Sequence, residues 1–131
     1  MSTKPIPAPS SKLLKRYSKS KDFDNSFNYR YVIGKLNYLA KATRADIAYA
    51  THQCARFTSC PKHEHGEAIR WLGRYLKGTK EQGMILKLVK GKELELYVDV
   101  DFAGNWDSKE TEDRDTARSR HGYVAMYAGC P

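Results

Sequence analysis

Apolar residues recur at helical spacing between residues 28 and 78 and predict three helices there. The first is predicted from residue 28, where apolar side chains begin to follow i, i+3, i+4 and i+7 spacing. Thr43 and, three residues later, Asp46 resemble a capping box, so a second helix is expected from there to about Phe57. A third is expected from Pro61 to Gly78, because proline favours a first helical turn and glycine the position just beyond a last one. The stripe of the first helix is Tyr29, Val32, Ile33, Leu36, Leu39 and Ala40.

From residue 84 onward the apolar period changes to two, which is the period of a β-strand. Two such runs, 84–89 and 93–105, flank a Lys-Gly-Lys turn at 90–92 and therefore predict a β-hairpin. A further strand is predicted at 120–128. The expected fold class is α+β, with three helices followed by three strands.

Two carboxylates, Asp99 and Asp101, lie in the second run, where the alternation places both side chains on one face of the strand. Anionic oxygens at the end of a strand suit a hard cation such as Mg²⁺. A polar strand face that is simply hydrated is the competing interpretation. A complete small Mg²⁺ nuclease would need further carboxylates, for which Asp107 and Asp113 are the candidates.

A candidate zinc site begins with Cys60 and His63, which have Cys-x₂-His spacing, and Cys54 or His65 would add a third ligand. These residues span a predicted helix junction, and the sequence offers no second ligand pair, so ordinary structural roles compete with this interpretation. The three cysteines form no Cys-x-x-Cys motif, which fits a reducing compartment.

The chain is basic, with a formal net charge of +8 over 131 residues, and a small basic protein usually meets phosphate. Residues 1–21 hold six basic side chains and no acidic one among prolines and serines, so 1–26 is predicted to be a basic flexible arm. A second basic set follows one face of the third helix; a merely solvated helix face is the alternative. The predicted nucleic-acid contacts are Lys12, Lys15 and Arg16 of the arm and Arg70, Arg74, Lys77 and Lys80 of the helix.

No apolar run approaches the roughly 20 residues that span a bilayer, and no apolar segment follows the basic N-terminus as in a secretory signal. We therefore expect no membrane partner and an intracellular location, in the cytoplasm, the nucleus or both.

Several segments in fixed order resemble the Pol polyproteins of copia-type long-terminal-repeat retrotransposons, at the junction of reverse transcriptase and ribonuclease H. The resemblance covers nearly all of residues 3–129, and its specificity lies in the ordered set rather than in any single piece. The matching segments include YRYVIGKLNYL at 29–39, TRADIAYA at 43–50, RYLKGT at 74–79 and YVDVDFAG at 97–104.

The resemblance implies that 27–82 is a helical thumb and connection segment of reverse transcriptase, and that 83–131 is the N-terminal part of a truncated ribonuclease H-like domain. It identifies Asp99 as the first of four carboxylates that hold two Mg²⁺ ions for cleavage of RNA/DNA hybrids, and Asp101 as the next acidic residue of that motif. Two metals need more carboxylates than these. The polymerase palm would precede Met1, and the other carboxylates would follow Pro131.

The expected function is therefore that of a Pol fragment whose parent performs RNA-directed DNA synthesis and hybrid cleavage, while this chain alone is catalytically inactive and retains nucleic-acid binding. The alternative is a host protein that has recruited the fragment as a non-enzymatic binding or interaction module. A truncated sheet has an exposed edge, so the rest of Pol or a second copy of the chain is a further expected partner.

Overall fold

The computed structural model describes residues 2–9, 14–15, 19–83, 86–103, 106 and 118–131. The chain divides into two compact units, Met1–Met84 and Ile85–Pro131. The described residues form three α-helices in the first unit and one antiparallel pair of strands in the second, which confirms the α+β class. None of these helices is long and apolar enough to span a bilayer.

The first helix, α1, spans Tyr29–Ala42 and confirms the predicted apolar stripe. The side chain of Asn28 caps it by accepting a hydrogen bond from the backbone N–H of Tyr31 at 3.0 Å. Tyr29, Ile33 and Leu36 are buried on its inner face, where they join the core of the unit.

The second helix, α2, spans Ala48–Ala55 and follows a 3₁₀ turn at Ala45–Ile47. The helix was expected, but the capping box at its start is wrong. Thr43 closes α1 instead, by donating its N–H to the carbonyl of Leu39. The carboxylate of Asp46 is bonded to the side chains of two other residues, so it is not available to cap the helix.

The third helix, α3, spans His63–Gly78 and begins two residues after the predicted Pro61. Its start is set by His65, whose Nδ1 accepts a hydrogen bond from the backbone N–H of Lys62 at 2.9 Å. Its end at Gly78 is as predicted. The N–H of Thr79 caps that end by donating to the carbonyls of Tyr75 and Leu76.

One hydrophobic core lies between the three helices and also takes in residues that precede α1. Phe23 is buried against α3, where its ring lies so close to Gly66 that a Cβ there would come within 2.5 Å of the ring. The described part of the predicted arm thus contributes to the core. The buried apolar set is Leu14, Phe23, Tyr29, Ile33, Leu36, Ile47, Ala50, Cys54, Phe57, Ile69, Leu72 and Tyr75.

Backbone hydrogen bonds also attach the segment before α1 to the start of α3. The N–H of Phe23 donates to the carbonyl of Pro61 at 3.3 Å, and the N–H of His63 donates to the carbonyl of Lys21 at 2.8 Å. An ion pair between Asp22 and Lys62 accompanies them. These contacts set the entry of the chain into the helical unit.

The second unit is a two-stranded antiparallel sheet of β1, Leu94–Asp101, and β2, Arg120–Tyr127. Its register runs from Leu94 opposite Tyr127 to Asp101 opposite Arg120.

The strand expected at 84–89 is wrong for its described residues, 86–89, which form no strand. The turn at 90–92 is present, since the N–H of Lys92 donates to the carbonyl of Val89 and Gly91 adopts φ of +87°. The segment before it meets the end of β2 through a bond from the N–H of Val89 to the carbonyl of Ala128. Because β2 pairs with β1, the turn does not produce the predicted hairpin.

Candidate nucleic-acid interface

The predicted basic face of α3 is partly neutralised by contacts within the protein. Arg70 forms ion pairs with Glu67 and Asp24 and donates a hydrogen bond to the hydroxyl of Ser26. Its guanidinium also lies 5.6 Å from the centre of the Phe27 ring. Arg70 therefore holds the segment before α1 against α3, and its charge is not fully offered to a phosphate.

The other predicted residues of this face are placed differently from one another. Arg74 is half-buried beside a cavity, with an Nε atom that has no hydrogen-bond partner. Lys77 and Lys80 are exposed at the end of the helix, and Lys80 pairs with Glu81 at 3.4 Å. The structure thus does not bring the four residues together as one continuous basic surface.

Of the arm residues predicted to bind nucleic acid, only Lys15 lies among the described residues, and Lys12 and Arg16 lie outside them. The backbone carbonyl of Lys15 is 3.0 Å from Nε2 of His65. The part of the arm that the structure describes therefore touches α3. Asp107 and Asp113 also lie outside the described residues.

The outer face of α1 carries basic and aromatic side chains together, and the helix contains no acidic residue. Tyr31 and Tyr38 are 60% and 77% exposed, and the ammonium of Lys35 lies 4.5 Å from the centre of the Tyr31 ring. Gly34 leaves the backbone open there, since a Cβ added to it would meet no atom within 4 Å. We call this face the α1 surface; it comprises Arg30, Tyr31, Gly34, Lys35, Tyr38 and Lys41, all exposed.

Sequence reasoning missed the α1 surface because the stripe of α1 was used only to locate the core. The available signal was the composition of the remaining positions, five of which are basic or aromatic and none of which carries a carboxylate. A basic track interleaved with aromatic rings is the usual composition of a surface that follows a nucleic-acid backbone and stacks on bases.

A partly buried network around Arg44 joins the 3₁₀ turn to the end of α3. Its guanidinium donates to both carboxylate oxygens of Asp46, at 2.9 and 2.7 Å, and to the carbonyl and hydroxyl of Thr79, at 3.0 and 2.7 Å. The Tyr75 hydroxyl donates to the same carboxylate at 2.6 Å. The Arg44 guanidinium holds the pKa of Asp46 down to about 2. These residues hold the 3₁₀ turn against the end of α3.

The imidazole of His65 is fully buried and stacks on Phe57, with 3.9 Å between ring centres. Nδ1 accepts the N–H of Lys62, so the proton is on Nε2, which donates to the carbonyl of Lys15. Burial lowers the pKa of His65, which favours this neutral form.

The candidate zinc site does not assemble in the described part of the chain, where no three His, Cys, Asp or Glu side chains lie together as metal ligands. Both ring nitrogens of His65 already have protein partners. Burial also raises the pKa of the Cys54 thiol to about 12, which disfavours the thiolate that a metal needs.

Asp99 and Asp101 lie on the polar face of β1, and both are exposed. Their partners in the register are Gly122 and Arg120. The two carboxylates thus share one face as predicted, but as a pair they supply fewer ligands than a two-metal centre requires. Their assignment as metal ligands stays a prediction.

The curated proteins that resemble the chain over most of its length include three Pol polyproteins of plant transposons. It is 39% identical over 122 residues, 93% of the chain, to the retrovirus-related Pol polyprotein from transposon RE1 of Arabidopsis thaliana. It is 36% identical over 77% of the chain to the corresponding protein from transposon RE2 of the same plant. It is 33% identical, again over 77%, to that from transposon TNT 1-94 of Nicotiana tabacum.

The chain belongs to the family of retrovirus-related Pol polyproteins of transposons. The family resemblance predicted from the sequence is thereby confirmed. This Pol-family chain spans 8%, 6% and 7% of the lengths of these three relatives, respectively. No protein-family model matches it, and no solved structure gives a significant match.

In this Pol-family chain the residues of the α1 surface lie together on one exposed helix face, whereas the predicted residues of α3 are divided between internal contacts and solvent. The α1 surface is therefore the better candidate for contact with nucleic acid.

Proposed function

We propose that this chain corresponds to the thumb and connection segment of a copia-type reverse transcriptase, followed by the first strands of its ribonuclease H-like domain. The order of a helical unit and then an antiparallel strand pair supports this position within Pol. The chain is 39% identical to a transposon Pol polyprotein over 93% of its own length, which supports its origin in such a polyprotein. The parent activity is RNA-directed DNA synthesis coupled to cleavage of RNA/DNA hybrids.

Within that parent, the chain's own role is to hold nucleic acid on the α1 surface. The observation that carries this role is the absence of any carboxylate from a helix whose exposed face combines three basic side chains with two tyrosines. The basic side chains, Arg30, Lys35 and Lys41, would neutralise phosphates. The rings of Tyr31 and Tyr38 would stack on bases or sugars, and the bare backbone at Gly34 would let a strand approach closely.

In the parent, Asp99 and Asp101 would belong to the carboxylates that bind Mg²⁺, which activates water for hydrolysis. The described residues supply only this pair at that place. We therefore assign no catalytic step to this chain and treat nucleic-acid binding as its function.

The test is binding of a labelled RNA/DNA hybrid, measured by fluorescence anisotropy as salt rises from about 50 to about 200 mM. The double variant Lys35→Gln/Lys41→Gln removes two charges from the α1 surface. We expect it to raise the Kd about tenfold or more and to reduce the slope of log Kd against log salt by about two, since each phosphate contact contributes about 0.9.

The matched control is Lys77→Gln/Lys80→Gln, which removes the same charge from exposed positions at the end of α3. We expect this control to bind within about twofold of the unchanged protein, apart from the general effect of net charge. Equal weakening by both double variants would show that total charge governs binding, and the assignment to the α1 surface would then be withdrawn.

A second role, as an interaction module, is supported by the apolar face of the sheet. Its side chains are exposed, for example Val98 at 64% and Leu94 at 70%. A two-stranded sheet is marginally stable alone, so the rest of Pol or a second copy would cover this face. Sedimentation over a range of concentrations tests self-association: a dimer supports the second copy, and a monomer at every concentration excludes it.

A further inference from the structure

Trp71, on α3, is contacted by the N-terminal segment 2–9 through both its ring face and its ring nitrogen. The ammonium of Lys4 lies 4.0 Å from the centre of the ring, within the range of a cation–π interaction. The indole Nε1–H donates to the backbone carbonyl of Ile6 at 3.0 Å. Two neighbouring points of the segment are thus bound by a single side chain.

The same segment also fits α3 at the last residue of the helix. A Cβ added to Gly78 would lie only 2.9 Å from the Cβ of Thr3, so the close approach of the segment requires a glycine there. By contrast, a Cβ added to Gly73 of the same helix would meet nothing within 4 Å. The face of α3 against which residues 2–9 lie, which we call the α3 groove, therefore has no room for a side chain larger than glycine at residue 78.

At its other end the segment borders a cavity of about 870 Å³ within the helical unit. Its lining includes Pro7, Ala8 and Pro9 of the segment and Ala68 and Trp71 of α3. Side chains of both charges line this cavity, and Asp46 and Glu67 among them are ion-paired with Arg44 and Arg70.

We propose that this groove of α3 is a binding site for proline-rich peptides that carry a lysine, and that residues 2–9 fill it as an intramolecular ligand. Proline-rich segments make no internal hydrogen bonds and lose little entropy on binding, so an aromatic side chain and one donor are sufficient to dock them. The lysine on the indole face and the carbonyl on the indole nitrogen give the groove its selectivity. A separate peptide of this chemistry binds once the attached segment is released, because an attached ligand competes at an effective concentration on the order of millimolar.

The experiment uses the full chain with Trp106→Phe, so that Trp71 is the remaining one of two tryptophans. A protease site placed between residues 9 and 14 allows the segment to be cut and dialysed away. We expect the emission of Trp71 to shift to longer wavelength on release and to return saturably as a synthetic peptide of residues 2–9 is added. A peptide with Lys4→Ala should bind about 3-fold to 30-fold more weakly, as expected for loss of a cation–π contact.

Two results of the titration would overturn the proposal. One is that the emission of Trp71 in the cut protein does not return to its original wavelength at millimolar peptide, although the helical circular dichroism shows that the cut protein is still folded. The other is an equal response to the native, Lys4→Ala and scrambled peptides, because selective recognition would then be absent.

The intact chain provides the test if cutting unfolds the protein. Gly78→Ala should push the segment off Trp71 and at least double the quenching of its fluorescence by acrylamide, although alanine itself favours a helix. Gly73→Ala is the matched control and should leave the quenching unchanged. Equal quenching in the two variants would overturn the proposal, since the segment would not lie in the groove in solution.

Discussion

Replacement of Arg44 is expected to destabilise the helical unit more than replacement of any exposed arginine. Its side chain donates four hydrogen bonds, two to Asp46 and two to Thr79. Arg44 and Thr79 are 8% and 9% exposed, so little water can replace the bonds at the Thr79 end. The side chain of Asp46 is 39% exposed, so solvent screens the other end.

The magnitude follows from these two ends. A buried acceptor that loses a charged donor costs about 1 to 3 kcal/mol, and we take about 2 kcal/mol for the Thr79 end. The screened pair with Asp46 contributes about 1 kcal/mol. Arg44→Ala should therefore lower the free energy of unfolding by about 3 kcal/mol, and Arg44→Lys by about 2 kcal/mol, because lysine keeps the charge but not the planar fork.

The assay is urea unfolding followed by helical circular dichroism, in a double-mutant cycle of Arg44→Ala and Asp46→Asn. The pKa of Asp46 is held at about 2, below its ordinary 3.8, chiefly by the hydrogen bonds from Arg44. A depressed folded-state pKa gives stability that is present above about pH 4 and is lost as the pH falls towards 2. The coupling energy should accordingly be about 1 kcal/mol at neutral pH and approach zero near pH 2.

Arg30→Ala serves as the control, because Arg30 is exposed on α1 and its loss should not destabilise the unit; removal of a cation from the first turn of α1 should instead stabilise it by about 0.3 to 1 kcal/mol. A loss below about 1 kcal/mol for Arg44→Ala, or a coupling energy that does not change with pH, would refute this account of the network.

Two further predictions concern stability. Burial lowers the pKa of His65 below its unfolded value, so below about pH 6.5 the unfolded state binds more protons than the folded state. The free energy of unfolding should therefore decrease as the pH falls from there, and it should decrease much less in His65→Gln; urea midpoints measured over this pH range provide the test. Gly66→Ala should lower the free energy of unfolding by about 1 to 3 kcal/mol, because the added Cβ would meet the buried ring of Phe23. Gly34→Ala should instead stabilise α1 by about 0.5 to 1 kcal/mol, because its Cβ would meet open space. A thermal unfolding experiment in which Gly66→Ala proved the more stable variant would contradict the packing described here.

The helices could be predicted because an apolar stripe is a strong local signal, whereas their boundaries depend on which side chains satisfy the end of each helix, which the stripe does not show. The apolar stripe of α1 was sufficient to place that helix. The capping box at Thr43 failed because Asp46 bonds to Tyr75, 29 residues away. The start of α3 moved because the ring of His65, and not Pro61, satisfies the first turn.

The strands show the same limit over a longer distance. The turn at 90–92 was read correctly from its glycine. The partner of β1 is β2, which begins 19 residues after β1 ends, and not the predicted strand at 84–89 on the other side of the turn. A period of two identifies a strand but does not say which other strand it pairs with.

The α1 surface contains two residues that lower the stability of their own helix. Arg30 lies in the first turn of α1, where the positive end of the helix dipole disfavours a cation by about 0.3 to 1 kcal/mol. No acidic residue of α1 compensates it, and Gly34 weakens the helix further without a packing neighbour that requires a glycine. A helix that gives up local stability at two exposed positions of one face is consistent with a face kept for a partner. Phosphate groups would offset the unfavourable charge at Arg30 and could approach the open backbone at Gly34, which is why we propose the α1 surface, rather than the face of α3 on which Arg70 is paired within the protein, as the contact with nucleic acid.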